Sequence, residues 1–242
     1  MNKLSRTSLS LLVACLGLMA NASQASSIRI AAPSIDNLVE EDGSGIYQRM
    51  VSRAIESLDV NVQTLFYPYR RAIRAFDAKE VDCIYSFDDV LYQTYQPDQL
   101  VSSFPLGKFS FHAFRAPDKP AIVSVNEMVN LRVVGIMGHE LYIESVLQGS
   151  VRADMVMTEH QAINMLKQGR VDVLIAALPD IQPFISQLSY SPTFSLFSGY
   201  DRLNCHNTEN NLIFIRELSL QLNRLKNDGS YESLAGEFFV PF

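Results

Sequence analysis

The chain is poor in the residue types that most directly announce chemistry. Its 242 residues include three cysteines and four histidines. His112, His139, His160 and His206 are scattered, and none shows the close ligand spacing of a metal site. No metal or other cofactor is therefore expected. Basic clusters are scarce as well: "YRRAIR" from Tyr69 is the one local group, and the formal net charge is −6. A general nucleic-acid binder needs a basic face, so that class is set aside. Beyond the first 25 residues no apolar run reaches membrane-spanning length, which points to a soluble mature chain. What is present is 48 % hydrophobic and 19 % charged, a globular composition. The length allows one large domain or two small ones with proper cores.

The opening "MNKLSRTSLSLLVACLGLMANASQA" carries Lys3 and Arg6, then an apolar stretch, then small residues before Ser26. This is the grammar of a secretory signal peptide over residues 1–25, and it implies a periplasmic or otherwise exported protein. "LVAC" at Leu12–Cys15 resembles a lipoprotein box, which keeps lipidation at Cys15 open. Apolar residues continuing past Cys15 argue against cleavage there. Export leaves Cys83 and Cys205 in the mature chain, and an oxidising compartment permits a disulfide between them. Two unpaired buried thiols are the alternative.

Two stretches nearly repeat each other: "RAIRAFDAKEVDCIYSF" from Arg71 and "QAINMLKQGRVDVLIAA" from Gln161. Ala72 matches Ala162, Val81 matches Val171 and Asp82 matches Asp172. Each copy reads as helix, tight turn and apolar strand. Around the first copy, "SIRIAAP" reads as a strand, "GSGIYQRMVSRAIESLD" as an amphipathic helix and "VNVQTLFYPY" as a strand. The phrase itself adds a helix over 69–79 and a strand over 81–86, and "KFSFHAFRA" reads as a long crossing strand. After "APDKP" the pattern restarts with strand "LRVVGIM", helix "GHELYIESVLQG", strand "VRADMVM" and a helix capped by Thr158. Such alternation implies α/β architecture with mostly parallel strands. The tail from Asn210 is strongly helical, with Leu218, Leu222 and Leu225 on one stripe.

These segments, in this order, resemble a bacterial extracellular solute-binding protein of family 3, the periplasmic amino-acid-binding type. The resemblance rests on "GIYQRMVSRAIE", "EVDCIYS", "SSFPL", "LRVVGIMGHE", "GRVDVLIAA" and "LNRLKNDGSYESLAGEFF". It implies the type II fold of two α/β lobes with a ligand cleft between them. Lobe 1 would comprise 26–114 and 204–242, and lobe 2 would comprise 115–203. It implies a monomeric class of protein that captures a small solute by hinge closure for a transporter permease or a membrane sensor.

The family's ligand-clamping arginine and aspartate positions fall on Thr94 and Ala177, and its Gly-Ser/Thr turn reads Gly138-His139-Glu140. An ordinary α-amino acid therefore fits poorly. "YSFDDVLYQTY" offers Tyr85, Ser86, Phe87, Asp88 and Asp89, an aromatic and acidic group suited to a cation or amine. The same residues also suit a local capping box from Ser86 to Asp89. Arg70, beside the sheet's C-terminal edge, could instead hold a carboxylate. Gly138, His139, Tyr142 and Thr158 complete the candidate contacts. An alternative is an enzyme on the same scaffold, similar to periplasmic cyclohexadienyl dehydratases, with Glu140, Glu159 or His139 as acid or base.

Overall fold

The computed structural model describes residues 27–92, 94–137, 139–147 and 149–242. The expected leader, with Cys15, and Gly138 lie outside the described residues. Among the described residues no helix is long and apolar enough to cross a membrane.

Each helix forms where the sequence supplies an apolar stripe and a stop. On α1 (Ile46–Ile55) the buried face is Ile46, Met50, Val51 and Ala54. Helix α5 (Glu159–Lys167) starts at Thr158, whose hydroxyl accepts the Gln161 amide, and stops at Gly169 with φ 64°. The 19-residue α6 (Glu209–Asn227) is capped by Thr208 and buries Phe214, Leu218 and Leu222. Each of those side chains contributes roughly 1.5–3 kcal/mol by leaving water.

Among the described residues nine strands form one sheet in the order β2-β1-β3-β9-β5-β8-β6-β7, with β4 (Leu100–Ser102) also on β9. In the first half, β1 (Ser27–Pro33), β2 (Asn61–Tyr67) and β3 (Cys83–Phe87) are parallel. In the second, β6 (Val133–Ile136), β7 (Ala153–Val156) and β8 (Val173–Leu178) are parallel. Two longer strands, β5 (Gly107–Phe114) and β9 (Phe197–His206), join the halves. Strand β9 pairs with β3 through Asp201–Cys205 and with β5 through Phe197–Asp201. Strand β5 in turn pairs with β8 through Ser110–Phe114.

These registers fix where the functional end lies. The last residue of β3, Phe87, pairs with Asp201, and the last residue of β8, Leu178, pairs with Ser110. Gly107 also pairs with Asp201. The two parallel sets therefore run toward each other, and their C-terminal ends converge on the middle of β5 and β9. That is where open parallel sheets bind ligands.

Apolar clusters cover both faces of each half. Helices α1 and α6 pack on the first sheet face around Ile30, Tyr85, Leu203 and Leu218, while Phe76, Ile84 and Leu91 line the other face. In the second half, Phe111, Ile143 and Ile175 lie on one face and Phe114, Ile163 and Leu174 on the other. Phe87 comes from β3 yet packs in the second half's cluster, edge-on to Phe109 and Phe197. Cys83 and Cys205 are directly opposed in the β3–β9 pair and form a disulfide.

Candidate functional site

Most of the residues singled out from the sequence lie near the converging strand ends, but their side chains are already engaged. Tyr85 shares its face of β3 with Cys83 and is 2 % exposed inside the first core. Its ring supports α1 and α6 and offers no open platform to a solute. Ser86 is buried, and its hydroxyl donates to the Phe87 carbonyl at 3.3 Å. Phe87 is 4 % exposed and part of the aromatic cluster at the crossing strands. Asp88 pairs with Arg202 Nε at 2.8 Å, so its charge is neutralised within the protein. Arg202 is further held by donating to the Ser103 carbonyl and by lying over the Tyr200 ring. Asp89 lies on α3 (Asp88–Leu91) and Tyr142 on α4 (Glu140–Leu147).

Arg70 is exposed on the first turn of α2 (Tyr69–Asp77), and its neighbour Arg71 packs over the Tyr67 ring. Thr158 serves as the helix cap already described. His139 stands just before α4, edge-on to Phe111 at 5.1 Å, and burial pushes its imidazole below the usual range. Ala177 is buried on β8 and Thr94 is exposed, so neither supplies a charge to the cleft.

Near the strand ends stand Glu159, already a candidate acid or base from the sequence, and three carboxylates that reading along the sequence overlooked. Asp180 follows β8, Asp201 lies on β9 at the crossing, Asp36 lies in the loop after β1, and Glu159 opens α5. Burial, then the charges of Glu159, Asp201 and Asp36, lift the Asp180 carboxyl to about 7. Burial likewise lifts Asp201 to about 7, opposed by the Tyr47 hydroxyl and helped by Asp88. Tyr47, on α1, donates to Asp201 Oδ2 at 2.7 Å and is buried. Among the described residues no hydrogen bond or ion pair engages the side chains of Asp36 or Glu159, while the Asp180 carboxylate accepts a hydrogen bond from its own backbone amide.

Glycines at the crossing let rings approach the backbone. A Cβ on Gly107 would lie 2.5 Å from the Tyr47 hydroxyl. On Gly199 it would collide with the Phe87 ring. Both crossing strands thus carry a glycine under an aromatic ring from the first half. A separate concavity of about 580 Å³ lies within the first half, between Asn37–Arg49 and Ser233–Phe238. It does not include the strand-end carboxylates Asp180 and Asp201.

The fold recurs in solved structures. The GluR0 ligand-binding core of Nostoc punctiforme, in complex with L-glutamate, superposes with a TM-score of 0.64 at 16 % identity, covering 88 % of this chain and 100 % of that one. The probable amino-acid ABC transporter extracellular-binding protein ytmK of Bacillus subtilis gives 0.64 at 13 % identity, covering 89 % and 99 %. An ancestral amino-acid-binding protein, a precursor of cyclohexadienyl dehydratase, gives 0.62 at 12 % identity, covering 89 % and 96 %. This chain has the two-lobed, type II periplasmic binding protein fold. No protein-family model matches it, and no curated protein does.

Proposed function

We propose that the protein is an exported, periplasmic solute-binding protein that captures a small polar solute in the cleft and closes around it by hinge motion. The observation that carries this reading is the convergence of two oppositely directed parallel sheets on a pair of glycine-bearing crossing strands. The lobes would be the two sets of parallel strands with their helices. The sheet pairing supports a hinge at about 107–110 and 198–201, rather than at the boundaries 114/115 and 203/204 expected from the sequence. A monomer that hands its solute to an importer permease is in keeping with the likeness to ytmK. Docking on a membrane sensor is the other use of the same closure.

Catalysis is the weaker reading. A dehydratase acting on a cyclic carboxylate needs cations to hold its substrate, whereas this cleft gathers carboxylates and Arg202 is paired with Asp88. Fold likeness does not decide between the two uses.

The test is a thermal-shift screen on protein stripped of bound solute by unfolding and refolding. A true ligand at about 100 times its Kd stabilises by roughly 2.7 kcal/mol, several degrees for a chain of this size. At least one amine, amino acid or small carboxylate is expected to do so. Silence across all classes would oppose the proposal.

A further inference from the structure

The segment after α7 (Ser230–Ala235) follows directly from the helices of the first half, yet it touches both halves. Phe238, Phe239 and Phe242 pack on the first half's core, the cluster built around α1 and α6. Val240 packs instead on the second half's core, the cluster that holds Leu178 and Ile181. The short helical turn Gly236–Phe238 also lies against the turn Gln182–Gln187 of the second half. The segment is thus a link between the halves in addition to the crossing strands β5 and β9.

Its two attachments differ in strength. Lys226 Nζ, on α6, donates to the Phe242 main-chain oxygen at 2.6 Å and stands 4.4 Å from the centre of the Phe242 ring. The rings of Tyr200 and Tyr231 lie 5.5 and 6.3 Å from it. On the second half the segment sets one half-buried valine side chain. Among the described residues no hydrogen bond or ion pair joins 236–242 to that half. A valine contact is weaker than a ring held by a cation and two other rings. When the halves part, the valine end yields first.

The place of the contact sets what the segment does. Gln182–Gln187 follows the C-terminal end of β8, and Gly236–Phe238 shares a concavity with Asn37–Arg49, which follows the C-terminal end of β1. Both contact surfaces therefore stand where the two parallel sets meet, so the contact breaks when the halves swing apart and holds when they approach. Gly236 turns the chain out of α7 with φ 56° and ψ −126°, a conformation that glycine adopts and residues with a Cβ rarely do. We propose that residues 236–242 form a strap across the mouth of the cleft, anchored on the first half by Phe242 and latched on the second by Val240, which restrains opening. Hinge motion at β5 and β9 has to release the latch, and the latch biases the resting protein toward the closed arrangement. The strap goes beyond the solute-binding reading, and no solute is needed to test it.

Hydrogen exchange read by mass spectrometry, with small-angle X-ray scattering on the same solute-stripped protein, tests this on Val240→Asp, Val240→Leu and Gly236→Ala. A carboxylate at 240 does not stay in an apolar contact. The methyl added at 236 meets open space and acts through the backbone alone, which guards against a packing artefact. Val240→Asp and Gly236→Ala are each expected to enlarge the radius of gyration. Each should also speed exchange in the 182–188 turn by at least about threefold, while the slowest amides of α6 keep their wild-type rates. Val240→Leu, which keeps an apolar contact, should behave as the wild type. Exchange that quickens equally along the whole chain would reduce Val240 to ordinary core packing and overturn the strap. An unchanged 182–188 turn with an unchanged radius of gyration in both disruptive variants would overturn it as well. Either result leaves the solute-binding reading standing, since that reading fails only on silence in the thermal-shift screen.

Discussion

Asp82 holds Arg29 by three contacts across neighbouring strands. Its Oδ2 accepts the Arg29 backbone amide at 2.8 Å and Nε at 3.3 Å, and its own amide donates to the Arg29 carbonyl at 2.9 Å. Asp172 repeats the arrangement with Arg132: backbone amide at 3.0 Å, Nε at 2.9 Å, and its own amide to the Arg132 carbonyl at 2.8 Å. The repeated Val-Asp phrase is thus a fastening between the first and third parallel strands of each lobe, at the end opposite the cleft. Its repetition reflects assembly of the sheet at the start of the third parallel strand in each half.

Asp172→Asn is expected to cost about 1–2 kcal/mol, since the pair is partly exposed and charge-assisted bonds to Arg132 are weakened. Arg132 holds the Asp172 carboxyl at about 2, below its ordinary 3.8. That contribution is complete above about pH 4 and is lost as pH falls toward 2. Urea melts of the wild type and the variant at about pH 7 and pH 3 check it: the difference between them should shrink at the lower pH.

The turns before the two aspartates give a second prediction. Lys79 and Gly169 occupy matching positions with φ of 58° and 64°, and each amide closes the preceding helix on Phe76 or Leu166. Only the second copy has the residue suited to this left-handed backbone. Lys79→Gly should therefore stabilise the protein by about 0.5–1 kcal/mol. Gly169→Lys should destabilise it. Midpoints of chemical denaturation decide the matter.

Much of the architecture was legible because periodicity and turn residues act locally. The stripe Ile46, Met50, Val51, Ala54 gives α1, the stripe through Leu218 and Leu222 gives α6, and the phrase before each Val-Asp gives a helix and a strand. The candidate site was legible only as a place. Tyr85 and Phe87 look like a ligand platform in a linear reading, yet strand alternation and the crossing at Gly199 bury them. Asp88 looks like a free anion until β9 brings Arg202 beside it, and nothing local to "YSFDD" announces that partner. Asp36, Asp180 and Asp201 escape notice because each is a lone acid at the end of a different element. The one available signal was position: the residues just after β1 and β8 must face the cleft once the strands are known to be parallel.

Removing the Cys83–Cys205 link should cost about 2–5 kcal/mol, because its partners are separated by 122 residues and unfolded-chain entropy grows with loop length. Cys83→Ser with Cys205→Ser, compared with the wild type in guanidinium melts, measures that cost. The solute affinity of the oxidised and double-serine proteins should agree within about threefold, since the link lies below the cleft and fastens β3 to β9.

Ligand-free stability should fall as pH rises from about 4 to 7. Asp180 and Asp201 titrate near 7 in the folded protein against 3.8 for an ordinary aspartate, so the folded state holds more protons across that window. Above it the two are ionised and their cost is complete, about 1–2 kcal/mol each after allowing for residual solvent screening. Asp180→Asn should flatten this slope and raise the melting temperature at pH 8 relative to the wild type. A wild-type curve that rises through the same window would contradict the burial of these acids.

The central claim is that two lobes close on a solute held between them. Small-angle X-ray scattering on the protein, first stripped of solute and then saturated with the best hit of the solute screen, tests it directly. The account predicts a smaller radius of gyration and a shorter maximum dimension with the solute bound. Unchanged scattering from a wild-type protein shown by titration to be saturated would contradict it.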